Sequence, residues 1–247
     1  MVETEFNLDD VKNIGARVAD RLAEMVQTGA LKPGEHLVQT ELGGQFGVSR
    51  VTVRDALQQL RQRGLAVDVP RKGTIVRPVS IKAVRDLFAV RRVVEGLAAR
   101  EACAHLTDDD FARLERIISE QEQLVQQSDM ARLIEKDWEF HKTIYGRCDN
   151  EPLKEVIVGL WARTRQARGL AQLEVNWGRM WGTQSAARHR RILAALRARD
   201  AAQAEQLISE TIHTAAEELA QGLKDTGWGE SNLHENRSEQ LRVSLGN

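Results

Sequence analysis

"VSRVTVRDALQQLRQRGL", residues 48–65, decides the fold. Ser49 is a good N-cap, and Val53, Ala56, Leu57 and Leu60 stand at i, i+3, i+4 and i+7. The spacing predicts an amphipathic helix, with Gly64 ending it. Upstream, "GARVADRLAEMVQTGAL" (15–31) carries Val18, Leu22, Met25 and Val26 at helical spacing before "KPGEHL" breaks the pattern. "TELGGQFG" (40–47) reads as a short helix begun by Thr40, with Gly43 and Gly44 as poor helix formers. Downstream, "LAVDVPRKGTIVRPV" (65–79) changes to a period near two, with a PRKG turn between two short strands. Three helices followed by a β-hairpin is the order of a winged helix-turn-helix.

From Ile81 almost every segment has a helical period, with short loops such as "LTDDD" and "CDNEP". The expectation is a mainly α protein: the winged unit over 1–77, a linker over 78–82, an all-α antiparallel bundle of six or so helices over 83–224, and a polar tail over 225–247. The chain has 247 residues, 42% hydrophobic and 29% charged, a length that suits one large domain or two small ones with room for a real core. Cys103 and Cys148 form no CxxC pair, which suits free thiols in a reducing compartment. "MVETEFNLDD" lacks an apolar signal region, and no apolar run reaches the ~18 residues of a membrane span. A cytoplasmic protein is expected.

Net charge is −1, so the case for nucleic acid is local. Residues 31–80 hold eight Lys or Arg against four Asp or Glu. Arg50, Arg54, Gln58 and Arg61 lie opposite the apolar stripe of the third helix, while Arg71 and Lys72 crown the hairpin turn. Gly73 allows backbone to approach a groove closely. The second helix of such a motif enters the major groove N-terminus first, so Arg50, Thr52 and Arg54 are the candidates for base edges. Arg61 is too far along and suits a phosphate or solvent.

The segment "GALKPGEHLVQTELGGQFGVSRVTVRDALQQLRQRGLAVDVPRKGTIV" resembles the N-terminal domain of the GntR family of bacterial transcription regulators. The PGE-x-L turn, GVSR, TVR-acid-AL, the GL closing the helix and the hairpin Gly-Thr carry the likeness. It implies operator DNA as partner, contacted by Arg50, Thr52, Arg54 and Gly73. Gly43 and Gly44 depart from the family's small-acidic pair, and Thr40 stands where some relatives have a DNA-reading arginine.

In the helical half, "DWEFHKTI" (137–144) places Asp137 and His141 four apart on a face that also carries Ile134 and Ile144. A buried carboxylate is costly unless paired, hydrogen-bonded or metal-bound. His189 shares a stripe with Ile192, Leu193 and Leu196, and His213 stands at the edge of the Ile208, Ile212, Ala215, Leu219 stripe. One carboxylate and three imidazoles make a transition-metal set, although each histidine taken alone reads first as a satisfied core residue rather than a ligand. Catalysis, sensing and a plain buried hydrogen bond are all open on these residues. HExxH, GxSxG and a glycine-rich phosphate loop are absent from the sequence, and Glu139 points away from Asp137 and His141.

This half resembles the FCD domain, the ligand-sensing bundle of the FadR branch of GntR regulators. The likeness rests on Asp137 with Phe140-His141, "RHRRILAALRARD" around His189, "ISETIHTAAEEL", "AVRRVVEGLAARE" and "CDNEPL". It implies a divalent ion (Zn, Ni or Mn) on Asp137, His141, His189 and His213, and a homodimeric regulator, a repressor, answering to a small organic acid. Arg91 and Glu95 fall on the family's arginine and glutamate. They are candidates either for the effector carboxylate or for an i, i+4 salt bridge with each other. Asn150 is expected to be structural. Trp177, Trp181, Arg163, Arg165 and Arg168 suit either core packing with a solvated basic face or the effector pocket. The alternative function is a metal-dependent enzyme with its site in the bundle.

Overall fold

The computed structural model describes residues 8–171 and 175–226 and divides into two units, Met1–Pro78 and Val79–Asn247. The first holds α1 (Leu8–Thr28), α2 (Gln39–Phe46), α3 (Arg50–Gln62) and the strands β1 (Ala66–Val69) and β2 (Gly73–Val76). Ser49 starts α3 by accepting the Thr52 N–H at 3.2 Å. Val53, Ala56, Leu57 and Leu60 then bury completely with Leu22, Val26 and Val76 to form one core. The expected start of α2 is one residue late. Val38 is its N-cap, with no side-chain cap bond, so Thr40 lies inside the first turn. Gly43 has a packing role in α2, since a Cβ there would stand 3.1 Å from the Val48 carbonyl.

The hairpin pairs Val67 with Ile75 and Val69 with Gly73. Gly73 has a φ of 78° and Arg71 one of 64°, so the tip is turned through the left-handed region twice. The "KPGEHL" segment does more than break a helix. Leu37 N–H donates to Thr74 O at 2.9 Å and Gly34 N–H to Val76 O at 3.0 Å, so it lies along the free edge of β2.

The second unit contains α4 (Ile81–Ala102), α5 (Asp108–Gln127), α6 (Met130–Tyr145), α7 (Glu151–Ala171), α8 (Val175–Arg197) and α9 (Ala201–Asp225). Their starts are chemically marked. Ser80 caps α4, within the stretch expected as linker; Thr107 and Asp110 form a capping box on α5; Asp129 caps α6 and Asp200 caps α9. Asn150 Oδ1 accepts the Leu153 N–H, so Asn150 is the structural cap of α7. α4 packs along α9, α5 against α6 and α8, and α8 against α9. On α8, a Cβ at Gly182 would stand 2.5 Å from Leu133 Cδ2 and 2.7 Å from Val125 Cγ2. That close approach to α6 and α5 brings the inward face of α8 to the centre of the bundle. The expected tail at 225–247 lies, beyond Thr226, outside the described residues.

Candidate metal centre

Asp137 and His141, on adjacent turns of α6, are 2% and 3% exposed, and α8 brings His189 to them with no exposure. His189 Nε2 is 3.3 Å from His141 Nε2 and 3.5 Å from Asp137 Oδ1. Two ligands held about 2.1 Å from one ion stand about 3.0–3.4 Å apart, so these separations suit coordination.

The surroundings fix which nitrogen carries the proton. Tyr145 donates its hydroxyl to Glu95 Oε2 at 2.9 Å, so it accepts from His141 Nδ1 at 2.9 Å. Gln121 Oε1, a carbonyl oxygen, accepts from His189 Nδ1 at 2.9 Å. With the protons on Nδ1, both Nε2 lone pairs converge with a carboxylate oxygen. Burial, opposed by Asp137 and aided by the nearby arginines, holds both imidazoles neutral: His141 well below its ordinary range and His189 down to about 4. Among the described residues, Asp137, His141 and His189 are the set that could hold an ion, and the donor chemistry fits a divalent transition metal.

His213 does not join them. On α9 the inward stripe is Ile208, Thr211, Ile212, Ala215 and Leu219; His213 is turned about 100° from Ile212 and is exposed. Thr211, not His213, lines the central cavity. The four-ligand set becomes three.

Arg91 and Glu95 form the i, i+4 ion pair, at 2.6 Å and 3.2 Å, with side chains 1% and 0% exposed. Arg91 also donates to Thr164 Oγ1 at 3.3 Å and stacks on Phe88 and Trp161. Glu95 in turn accepts the Trp161 N–H at 3.1 Å.

Arg168 is the residue whose position the sequence left open. It is buried, its Nη1 meets Asp137 Oδ2 at 2.5 Å, and its guanidinium lies 4.6 Å over Trp181 and 5.2 Å over Trp161. Burial lowers the Arg168 pKa, opposed by Asp137. Burial, the largest single influence, would raise the Asp137 carboxyl, but Arg168 first, together with His141 and His189, holds the group far below the carboxylate range. Ser185 donates to Asp137 Oδ1 at 2.9 Å. The solvated basic face expected here therefore excludes Arg168, while Arg163 and Arg165 are half-buried and the Trp177 side chain lies outside the described residues. Sequence reading missed Gln121, Tyr145 and Ser185. Gln121 had a signal, since it interrupts the apolar line Leu114, Ile117, Ile118, Leu124; Tyr145 and Ser185 stand one turn from the two histidines.

On the winged unit, Arg50, Arg54, Arg71, Lys72 and Gly73 are exposed. Thr52 is 8% exposed and its hydroxyl lies 2.9 Å from Ser49 Oγ, so it completes the helix start and is corrected from base-reading candidate to cap partner. Arg61 is held by Asp68 at 3.2 Å and Thr74 at 3.3 Å, joining α3 to the hairpin instead of reaching phosphate or solvent alone.

Residues 14–76 match the model of the bacterial regulatory proteins of the gntR family, and residues 86–214 match the FCD domain. The chain belongs to the GntR family. The Nta operon transcriptional regulator of Aminobacter aminovorans is 32% identical over 137 residues, covering 56% of this chain and 65% of that one. The transcriptional repressor RspR of Escherichia coli K12 is 25% identical over 220 residues, covering 89% and 94%. The solved structure of E. coli McbR/YncC aligns with a TM-score of 0.72 at 26% identity, covering 84% of this chain and 97% of that one. This GntR protein is thus a DNA-binding transcriptional regulator with an FCD domain; the family and its relatives are regulators, not enzymes. No helix among the described residues is long and apolar enough to cross a membrane.

Proposed function

We propose that this regulator is a repressor whose helical unit holds a divalent ion on Asp137, His141 and His189 and senses a small organic acid there. The observation that carries the reading is the convergence of two imidazole lone pairs and a carboxylate in a buried site, each imidazole fixed from behind by Tyr145 or Gln121. Three protein ligands leave coordination positions open, and the ion, when bound, supplies Lewis-acid attraction for a carboxylate oxygen. Arg91 lines the cavity and contributes positive charge, while Glu95 keeps Tyr145, and through it His141, in place. Operator DNA meets the exposed Arg50 and Arg54 on α3 and Arg71, Lys72 and Gly73 at the hairpin tip, two places of a winged motif that reach groove and backbone. That RspR is a repressor supports repression here.

A homodimer suits paired half-sites. It is supported by Val90, Val93 and Leu97 of α4, spaced i, i+3, i+7 and 49%, 64% and 40% exposed, an apolar stripe that a second copy would cover.

A thermal-shift screen of sugar, hydroxy and aromatic acids, run with and without Zn, Ni or Mn, tests the sensing role. An acid should stabilise the parent in the presence of the ion and lose that effect in His141→Ala. Stabilisation that ignores both ion and variant would refute it. Footprinting on the gene's own upstream region should fail for the Arg50→Ala, Arg54→Ala double variant; an unchanged footprint would refute the DNA surface.

A further inference from the structure

Every charge buried around the candidate site already has its counter-charge. Arg91 is paired with Glu95, Arg188 with Glu218 at 2.8 Å and 3.0 Å, and Arg168 with Asp137 at 2.5 Å. A divalent cation on Asp137 would share that one carboxylate with a guanidinium in direct contact with it, inside a low-dielectric interior where like charges repel strongly. The space left at the centre is about 10 Å³, room for a water-sized group, so a carboxylate fits there only once Arg168 moves aside. Its wall includes Asp137, Arg168, Ser185 and Arg188. Arg188 keeps a buried Nε–H with no acceptor among the described residues. An anion entering here would therefore meet an unused donor, and a second guanidinium once Arg168 turns from Asp137.

We infer that Arg168 is a built-in competitor for the ion's carboxylate, so that a divalent ion and a carboxylate ligand bind together and neither binds tightly alone. The inference rests on the metal reading above and adds the coupling. When the anion arrives, Arg168 exchanges one carboxylate for another and Asp137 is freed for the ion. Trp161 and Trp181, which the guanidinium already touches, give it apolar walls along which to move. By linkage the coupling is reciprocal: whatever factor the anion adds to ion affinity, the ion adds to anion affinity.

The full chain, stripped of metal, is titrated with Ni2+ by calorimetry, with tryptophan fluorescence as a second readout, in the presence and absence of 10 mM acetate as an approximate working level for a weak carboxylate probe. Acetate should tighten Ni2+ binding to the parent about tenfold. Arg168→Gln should bind Ni2+ alone about tenfold tighter than the parent and gain nothing from acetate. Arg168→Lys keeps the charge and the fold, and should bind Ni2+ alone as weakly as the parent. Ni2+ binding that is equal in parent and Arg168→Gln and indifferent to acetate would overturn the coupling while leaving the metal site standing. Tight Ni2+ binding to Arg168→Lys without acetate would overturn it too. Absence of Ni2+ binding in all three proteins, with or without acetate, would remove the metal reading itself.

Discussion

Replacing Arg91 with Met asks how much of the helical unit's stability depends on one buried ion pair. The substitution keeps an unbranched apolar stem of similar reach but removes two hydrogen bonds to Glu95, one to Thr164 and the contacts over Phe88 and Trp161. Glu95 would then stay fully buried, with the Tyr145 hydroxyl and the Trp161 N–H as donors but no counter-charge. Removing one partner of a buried pair costs about 3–5 kcal/mol, because the remaining charge is left uncompensated. For a domain of about 150–250 residues each kcal/mol moves the melting temperature by about 2–4 °C, so a fall of about 10 °C is expected. The Arg91→Met, Glu95→Gln double variant removes both charges and should lose clearly less than the single one. Urea unfolding followed by circular dichroism measures both. A loss below about 1 kcal/mol for Arg91→Met, or a double variant no better than the single, would refute the claim that Glu95 depends on Arg91.

Further outcomes concern other parts of the molecule. Gly182→Val should destabilise by about 1–3 kcal/mol through overpacking against Leu133 and Val125, whereas Gly159→Ala, with nothing within 4 Å of its Cβ, should stabilise by about 1 kcal/mol; thermal melts of the two check the opposite signs. Burial, and then the bond donated to Glu101, pushes the Cys148 thiol up to about 11, against an ordinary value of 9.0. At pH 8 iodoacetamide should alkylate it about a hundredfold more slowly than an ordinary thiol. Because the folded group holds its proton longer, its stabilising contribution is complete below pH 9 and is lost as pH rises towards 11. On the wing, Lys72→Ala should weaken operator binding and lower the slope of log affinity against log salt by about 1, read from filter binding at several salt levels.

The parts of the structure legible in the sequence were those governed by local chemistry. Ser49, Gly64 and the change from period 3.6 to period two gave the order helix, helix, helix, hairpin. Asp137, His141 and His189 could be placed inward because each interrupts an apolar stripe. The failures have physical causes. His213 stood one position off its stripe, and one position on a helix is about 100°, enough to take a side chain from core to solvent. Thr52 looked like a base reader by its place on α3, but the same first-turn place lets its hydroxyl meet the capping serine. The partnership of Arg168 with Asp137 joins residues 31 positions apart on α7 and α6, and no periodicity carries information about how two helices rotate against each other. The same holds for Gln121 behind His189, although its intrusion into an apolar line marked it as a residue with a buried partner to find.

The central claim, a divalent ion held by Asp137, His141 and His189 in a GntR regulator, is tested most directly by metal stoichiometry. Parent, His189→Ala and His213→Ala proteins would be loaded with Zn, Ni or Mn in about 10 mM acetate, freed of excess ion in the same buffer and measured by plasma mass spectrometry beside protein concentration. The account predicts about one ion per chain in the parent and in His213→Ala, since His213 is exposed and away from the site, and loss of the ion in His189→Ala. Equal metal in all three, or loss in His213→Ala with retention in His189→Ala, would contradict it.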